Sequence, residues 1–179
     1  RIWCAASSSG QEPYSLAMLI AENPQRWAGW DVRIVASDIS PSVIAAARAG
    51  RYSHFEIQRG LPTHSMLDWF EQDGGDWLLR GTIRDRVQFV EHNILTDALP
   101  PGPFDMVLCR NLLFYLTPEH RAAAVGRLTG ALASDGLLML GAFETVIGHG
   151  KLLQPDPAAK GFYGLATAPS RGYGRLNTG

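Results

Sequence analysis

Ile2-Trp3-Cys4-Ala5-Ala6, then Ser7-Ser8-Ser9-Gly10, then Gln11-Glu12-Pro13-Tyr14-Ser15-Leu16-Ala17-Met18-Leu19-Ile20-Ala21 is the stretch that decides the fold. The apolar run reads as a short buried strand and the small residues after it as a tight loop. Glu12-Pro13 opens a helix, with proline near its first position, where the missing N–H has no intrahelical partner to lose. Asn23-Pro24 and Ala28-Gly29 break that helix. The same order then returns. Val32-Arg33-Ile34-Val35-Ala36-Ser37-Asp38 is a second strand, and Ser40-Pro41 starts a second helix over 42–48 that stops at Gly50. Strand, helix, strand, helix argues for an α/β fold with a mostly parallel central sheet.

Further along, Val87-Gln88-Phe89-Val90 alternates like a third core strand. Phe104-Asp105-Met106-Val107-Leu108-Cys109 is a fourth. Thr117-Pro118-Glu119 caps a helix that runs to about Leu132. Asp135-Gly136 reads as a turn, and 137–140 as a fifth strand. Phe162-Tyr163-Gly164-Leu165-Ala166 is expected to add an edge strand. Residues 51–86 are less regular: Met66-Leu67-Asp68-Trp69-Phe70 resembles a short helix, Asp73-Gly74-Gly75-Asp76 a turn, and Trp77-Leu78-Leu79 a strand. This piece is expected to be a small inserted subdomain within a domain of residues 1–168, with 169–179 a loose tail.

The chain has 179 residues, the length of one domain with a sizeable core. Hydrophobic residues at 46% and charged residues at 18% suit a soluble globular protein. A net charge of -1, with no basic stripe, argues against a nucleic-acid partner. The apolar runs are too short for a bilayer, so no membrane insertion is expected. Cys4 and Cys109 lie in strand-like runs and form no CxxC pair; they read as buried thiols of a cytoplasmic protein. His54, His64, His92, His120 and His149 form no HExxH pattern, which argues against a zinc site. A G-x-S-x-G elbow and a P-loop are also missing, against a serine hydrolase and a nucleoside triphosphatase. Arg1-Ile2-Trp3 enters the first strand directly, without Met, as if the chain began partway through a longer protein.

In an open α/β sheet, ligands bind at the C-terminal ends of the strands. Polar groups recur there after each of the first four strands. The first loop has serines and alanines where a dinucleotide fingerprint would have glycines, so a pyrophosphate is the less suited guest, although small residues still let a ligand approach the backbone. Asp38 ends the second strand, where a carboxylate can accept both hydroxyls of a ribose; capping the next helix is the alternative, but Ser40 suits that better. Asn93 and Ile94 could read an adenine edge and pack on its ring, or Asn93 could simply form a turn. Arg110-Asn111 at the end of the fourth strand would be costly to bury unpartnered. Tyr115 follows on the next turn: its ring could face a sulfonium and its hydroxyl could orient an acceptor, or it could be a half-buried core tyrosine.

These motifs resemble the CheR family of chemoreceptor methyltransferases. The resemblance lies in Trp3-Cys4-Ala5-Ala6-Ser7-Ser8-Ser9-Gly10-Gln11-Glu12-Pro13-Tyr14-Ser15, in Ala36-Ser37-Asp38-Ile39-Ser40, in His92-Asn93-Ile94-Leu95, and in the run from Phe104 through Cys109-Arg110-Asn111-Leu112-Leu113-Phe114-Tyr115. Asp135-Gly136-Leu137-Leu138 and Gly141-Ala142-Phe143-Glu144-Thr145 also fit. The resemblance implies a class I methyltransferase, a Rossmann-like three-layer fold that binds S-adenosylmethionine and leaves S-adenosylhomocysteine. It implies that Glu12 and Asp38 bind the amino-acid and ribose parts of the cofactor, in an order the sequence leaves open. Asn93 and Ile94 would hold the adenine, Arg110 and Asn111 would line the pocket, and Tyr115 would be the catalytic residue beside the methyl and the substrate glutamate. The partners implied are the cytoplasmic helices of chemoreceptors, met by a monomer. In some members a small β subdomain corresponding to 51–86 docks a receptor tail peptide. CheR-like enzymes also carry a helical N-terminal domain that adds a basic group to the active site; none stands ahead of Arg1 here, so this sequence is expected to be the catalytic half.

A glutamate acceptor has a pKa of about 4.3 and is already ionised near neutrality, so no general base is needed. This suits a sequence without an evident His–Asp pair. A catalytically idle cofactor-binding module and a small-molecule methyltransferase are the alternatives.

Overall fold

Every second residue of the first strand enters the same core. In the computed structural model, which describes residues 1–144 and 152–166, Cys4 of β1 (Ile2–Ala5) packs with Tyr14, Ala17 and Met18 of helix α1 (Gln11–Glu22). Its neighbours Trp3 and Ala5 join the opposite cluster, with Ala124, Val125 and Leu128 of α6 (Pro118–Ala131). The alternation of a strand thus builds two apolar layers, one on each face of the sheet.

β2 (Ile34–Asp38) and α2 (Pro41–Ala49) follow α1, and α2 packs on the same face. Ser40 caps α2, its hydroxyl accepting from the Val43 N–H at 3.4 Å, and Gly50 closes the helix at φ +61°. β6 (Val87–Glu91), β7 (Phe104–Cys109) and β8 (Leu132–Leu140) complete the parallel part of the sheet. The strand order is β6-β2-β1-β7-β8-β10-β9. β10 (Phe162–Leu165) runs antiparallel between β8 and β9 (Leu153–Pro155). Order reverses between β1 and β7, where an open α/β sheet forms its ligand crevice.

Between α2 and β6 lie β3 (Arg51–Ser53), α3 (His54–Gln58), α4 (Thr63–Trp69), β4 (Phe70–Asp73), β5 (Asp76–Leu79) and α5 (Gly81–Arg84). The three strands form a separate antiparallel sheet, β3-β5-β4. Tyr52, Ile57, Phe70, Leu79 and Ile83 seat this piece on the α1/α2 layer.

Two expectations change. The Asp135-Gly136 turn lies inside β8: Phe104 pairs with Leu132 but Met106 with Leu137, so the intervening residues bulge. A Cβ at Gly136 would meet the Phe104 carbonyl at 2.7 Å, so glycine here permits close backbone approach. The strand over 162–165 is interior, because the short β9 takes the edge. The tail expected over 169–179 lies outside the described residues.

Candidate cofactor and active site

Three loops and a short 3-10 turn meet at the C-terminal edge of β6, β2, β1 and β7. Among the described residues, the non-glycine positions with positive φ are Ala6 (60°), Ser8 (49°) and Asn111 (61°), and all lie on this edge. Such conformations persist only where surrounding contacts hold them, and they concentrate at functional sites.

The first loop is pinned at several points. The Ser7 N–H donates to the Ser37 carbonyl at 2.8 Å, and the Tyr52 hydroxyl donates to the Ser9 carbonyl at 2.8 Å. Gly10 sits at φ +93°, and a Cβ there would press on Phe89, Tyr14 and Ala47 at 3.1–3.2 Å. The Asp38 carboxylate joins this loop to α2: Oδ2 accepts from the Ser8 N–H at 3.0 Å and Oδ1 from the Ser40 N–H at 3.1 Å. Asp38 stays partly exposed, and each oxygen keeps a further lone pair for an incoming donor.

A cleft beside Asp38 is lined by Ala6, Asn93, Ile94, Leu112 and Leu116. It is largely apolar, with Ser37, Asp38, His92 and Asn93 as the polar residues that line it. The Asn93 side-chain carbonyl accepts from the Leu95 N–H at 2.9 Å, so the residue does form a turn while it lines the cleft. Its N–H donates to Asp97 Oδ2 at 2.8 Å. Arg127 of α6 donates to the Ile94 and Asp97 carbonyls and fastens this loop from behind.

Glu12, in the first turn of α1, and Arg110, just past β7, form a second centre. Arg110 Nη1 donates to Glu12 Oε2 at 3.0 Å. Burial raises the Glu12 pKa, and its bond and charge contact with Arg110 oppose that rise. Burial also pushes the Cys4 and Cys109 thiols up, Glu12 adding to both and Glu144 to Cys109. Both stay protonated, so neither is poised as a nucleophile.

The third centre is the segment after β7. Asn111 is exposed, and Tyr115 ends the 3-10 turn Leu113–Tyr115. At 77% exposure, Tyr115 is no core tyrosine. Its ring lies 4.4 Å from that of Phe114, itself 48% exposed. The structure therefore groups Asp38, Asn93 and Ile94 in one cleft, pairs Glu12 with Arg110, and sets Asn111 and Tyr115 on the adjoining segment.

Glu144 was not singled out by sequence. It is 8% exposed, and its Oε1 and Oε2 accept from Leu113 and Asn111 N–H groups at 2.7 and 2.8 Å. The signal was available: an acid following the fifth strand continues the recurrence of polar groups at strand ends.

The family model "CheR methyltransferase, SAM binding domain" matches residues 1–161. The chain is 41% identical over 164 residues to chemotaxis protein methyltransferase 1 of Pseudomonas aeruginosa, covering 88% of this chain and 60% of that protein. It is 39% identical over 151 residues to a chemotaxis protein methyltransferase of Vibrio parahaemolyticus, covering 83% and 55%. The chain thus spans between 55% and 60% of the length of these two relatives. The glycopeptide N-methyltransferase MtfA, solved with S-adenosyl-L-methionine, matches with TM-score 0.50 and 18% identity over 78% of this chain and 45% of that one, a likeness of fold.

Proposed function

The chain belongs to the CheR methyltransferase family through its SAM-binding domain, and from that premise we propose that it is the catalytic part of an enzyme that methylates glutamate side chains on chemoreceptors. The observation that carries the reading is the division of the strand-end cleft. An apolar slot with a carboxylate at its mouth suits an adenosine, and the adjacent Glu12–Arg110 pair suits a zwitterionic amino acid.

Asp38 accepts the ribose hydroxyls, with Ser8 and Ser40 N–H groups fixing its carboxylate. Asn93 and Ile94 take the adenine. Glu12 holds the ammonium of the methionine part, and Arg110 its carboxylate, with Asn111 beside them. What supports this ordering is that Asp38 shares the cleft with Asn93 and Ile94 while Glu12 pairs with Arg110.

S-adenosylmethionine supplies an electrophilic methyl on a sulfonium. A glutamate acceptor that is already ionised would need no base from the protein to receive that methyl. The protein's part is alignment and exclusion of water. Tyr115 orients the acceptor from its exposed position beside the cleft. The reading includes a cytoplasmic monomer acting on receptor cytoplasmic helices. Among the described residues no helix is long and apolar enough to cross a membrane.

The test is transfer of tritiated methyl from S-adenosylmethionine to receptor cytoplasmic fragments. Label released by mild alkali supports a glutamyl ester. Alkali-stable label, or label only on small molecules, contradicts it, and cofactor binding without transfer marks an idle module.

A further inference from the structure

Two oppositely charged side chains that the roles above do not use hold the Tyr115 segment from its two kinds of backbone group. Glu144 takes the donors: Oε2 accepts from Asn111 N–H at 2.8 Å and Gly141 N–H at 2.9 Å, and Oε1 from Leu113 N–H at 2.7 Å. Arg121 of α6 takes the acceptors: Nε donates to the Leu113 carbonyl at 2.9 Å and Nη2 to the Leu116 carbonyl at 3.4 Å. Leu113 is thus held at both its N–H and its C=O.

A buried carboxylate persists only when its lone pairs are well satisfied, and here three backbone amides do so. The chain leaves room for it: a Cβ on Gly141 would stand 2.7 Å from Glu144 Oε2. Asn111 is kept at φ 61° by the same contact. Tyr115 is largely exposed, so backbone placement sets its hydroxyl more than side-chain packing does.

We propose that Glu144 and Arg121 are positioning residues for methyl transfer, clamping 111–116 so that Tyr115 meets the acceptor. The inference rests on the methyltransferase reading above. Neither residue lines the adenosine cleft itself, although Leu112 and Leu116 of the clamped segment do, so the clamp shows as a kcat loss that exceeds any rise in cofactor Kd. Because it acts through Tyr115, its effect fades once that hydroxyl is gone.

The experiment measures kcat, KM for a receptor fragment and S-adenosylhomocysteine Kd for wild type, Glu144→Gln, Arg121→Gln, Arg121→Lys, Tyr115→Phe and the Glu144→Gln/Tyr115→Phe double variant. A misplaced reacting group costs on the order of 10- to 100-fold. Expected is a kcat loss of about tenfold or more for Glu144→Gln and Arg121→Gln, with Kd within about threefold, partial rescue by Arg121→Lys, and less than about twofold further loss when Glu144→Gln is added to Tyr115→Phe. Should Glu144→Gln fail to fold, the partly exposed Arg121 series carries the same comparison, using Arg121→Gln with Tyr115→Phe. Wild-type kcat in the single variants, or full multiplication of losses in the double variant, overturns the clamp alone. A wild-type protein that transfers no methyl overturns the methyltransferase reading, and the clamp with it.

Discussion

Arg110 and Glu12 stand 98 residues apart in sequence and 3.0 Å apart in space. The sheet makes this happen. β1 and β7 are parallel neighbours with Ala5 opposite Cys109, so the residue after β7 faces the first turn of the helix that follows β1. The pair joins the two halves of the sheet at the point where strand order reverses.

Arg110→Ala should weaken S-adenosylhomocysteine binding by about 10- to 100-fold, the scale of one or two charge-assisted hydrogen bonds. A pH dependence comes with it. Burial raises the Glu12 pKa and Arg110 lowers it, so removing Arg110 leaves the raising influence unopposed. Glu12 then takes up its proton at higher pH, and a neutral carboxyl holds an ammonium poorly. Calorimetry across an acidic pH series should show the loss of affinity beginning at higher pH in the variant than in wild type. Coincident profiles would separate Glu12 from the cofactor.

Tyr115→Phe should lower methylation of receptor glutamates by about tenfold or more while cofactor Kd stays within about twofold, the pattern of an interaction made in the transition state. Single-turnover transfer with saturating cofactor reads this directly. Unchanged turnover would remove Tyr115 from the chemistry.

Gly10→Ala should cost about 1–3 kcal/mol of stability. Its φ of +93° disfavours a side chain, and the new methyl would press on Phe89, Tyr14 and Ala47. Urea unfolding measures the change, and a midpoint equal to wild type would contradict the packing at this loop.

His92 should make stability pH-dependent on the acid side. It is 7% exposed and its ring lies edge-on to Trp3 at 5.6 Å. Burial pushes its pKa below the ordinary value, Asp97 and the Ala98 backbone oppose this, and Arg127 adds to it. Between the lowered folded value and about 6.5 the unfolded chain binds more protons than the folded one. Stability therefore rises with pH through that window and levels off above it, with a slope of at most about 1.4 kcal/mol per pH unit from this group. Unfolding of His92→Gln should lose that part of the slope.

The sequence was most legible where local chemistry decides structure. The strand of Phe104–Cys109, the Ser40 cap and the Gly50 stop follow from periodicity and backbone preference within a few residues. Asp38 ends a strand and Asn93 and Ile94 follow one, and a parallel sheet sends all such positions to one edge. What escaped depends on partners far along the chain. The β8 bulge arises from backbone pressed against β7, which a Gly in a polar pair does not reveal. β9 is three residues long, too short for a period. Glu144 follows the fifth strand, which marks it as an edge residue, but the backbone amides it reaches lie 31 and 33 residues away.

If the edge built by Asp38, Asn93, Ile94, Glu12 and Arg110 is the S-adenosylmethionine site proposed above, titration calorimetry of S-adenosylhomocysteine into wild type and Asp38→Ala must distinguish the two proteins. Saturable one-to-one binding by wild type, weakened at least about tenfold in a folded Asp38→Ala as charge-assisted hydrogen bonds to ribose are lost, is the result expected. Equal affinity of the two proteins, or no heat of binding with wild type, would contradict that proposal.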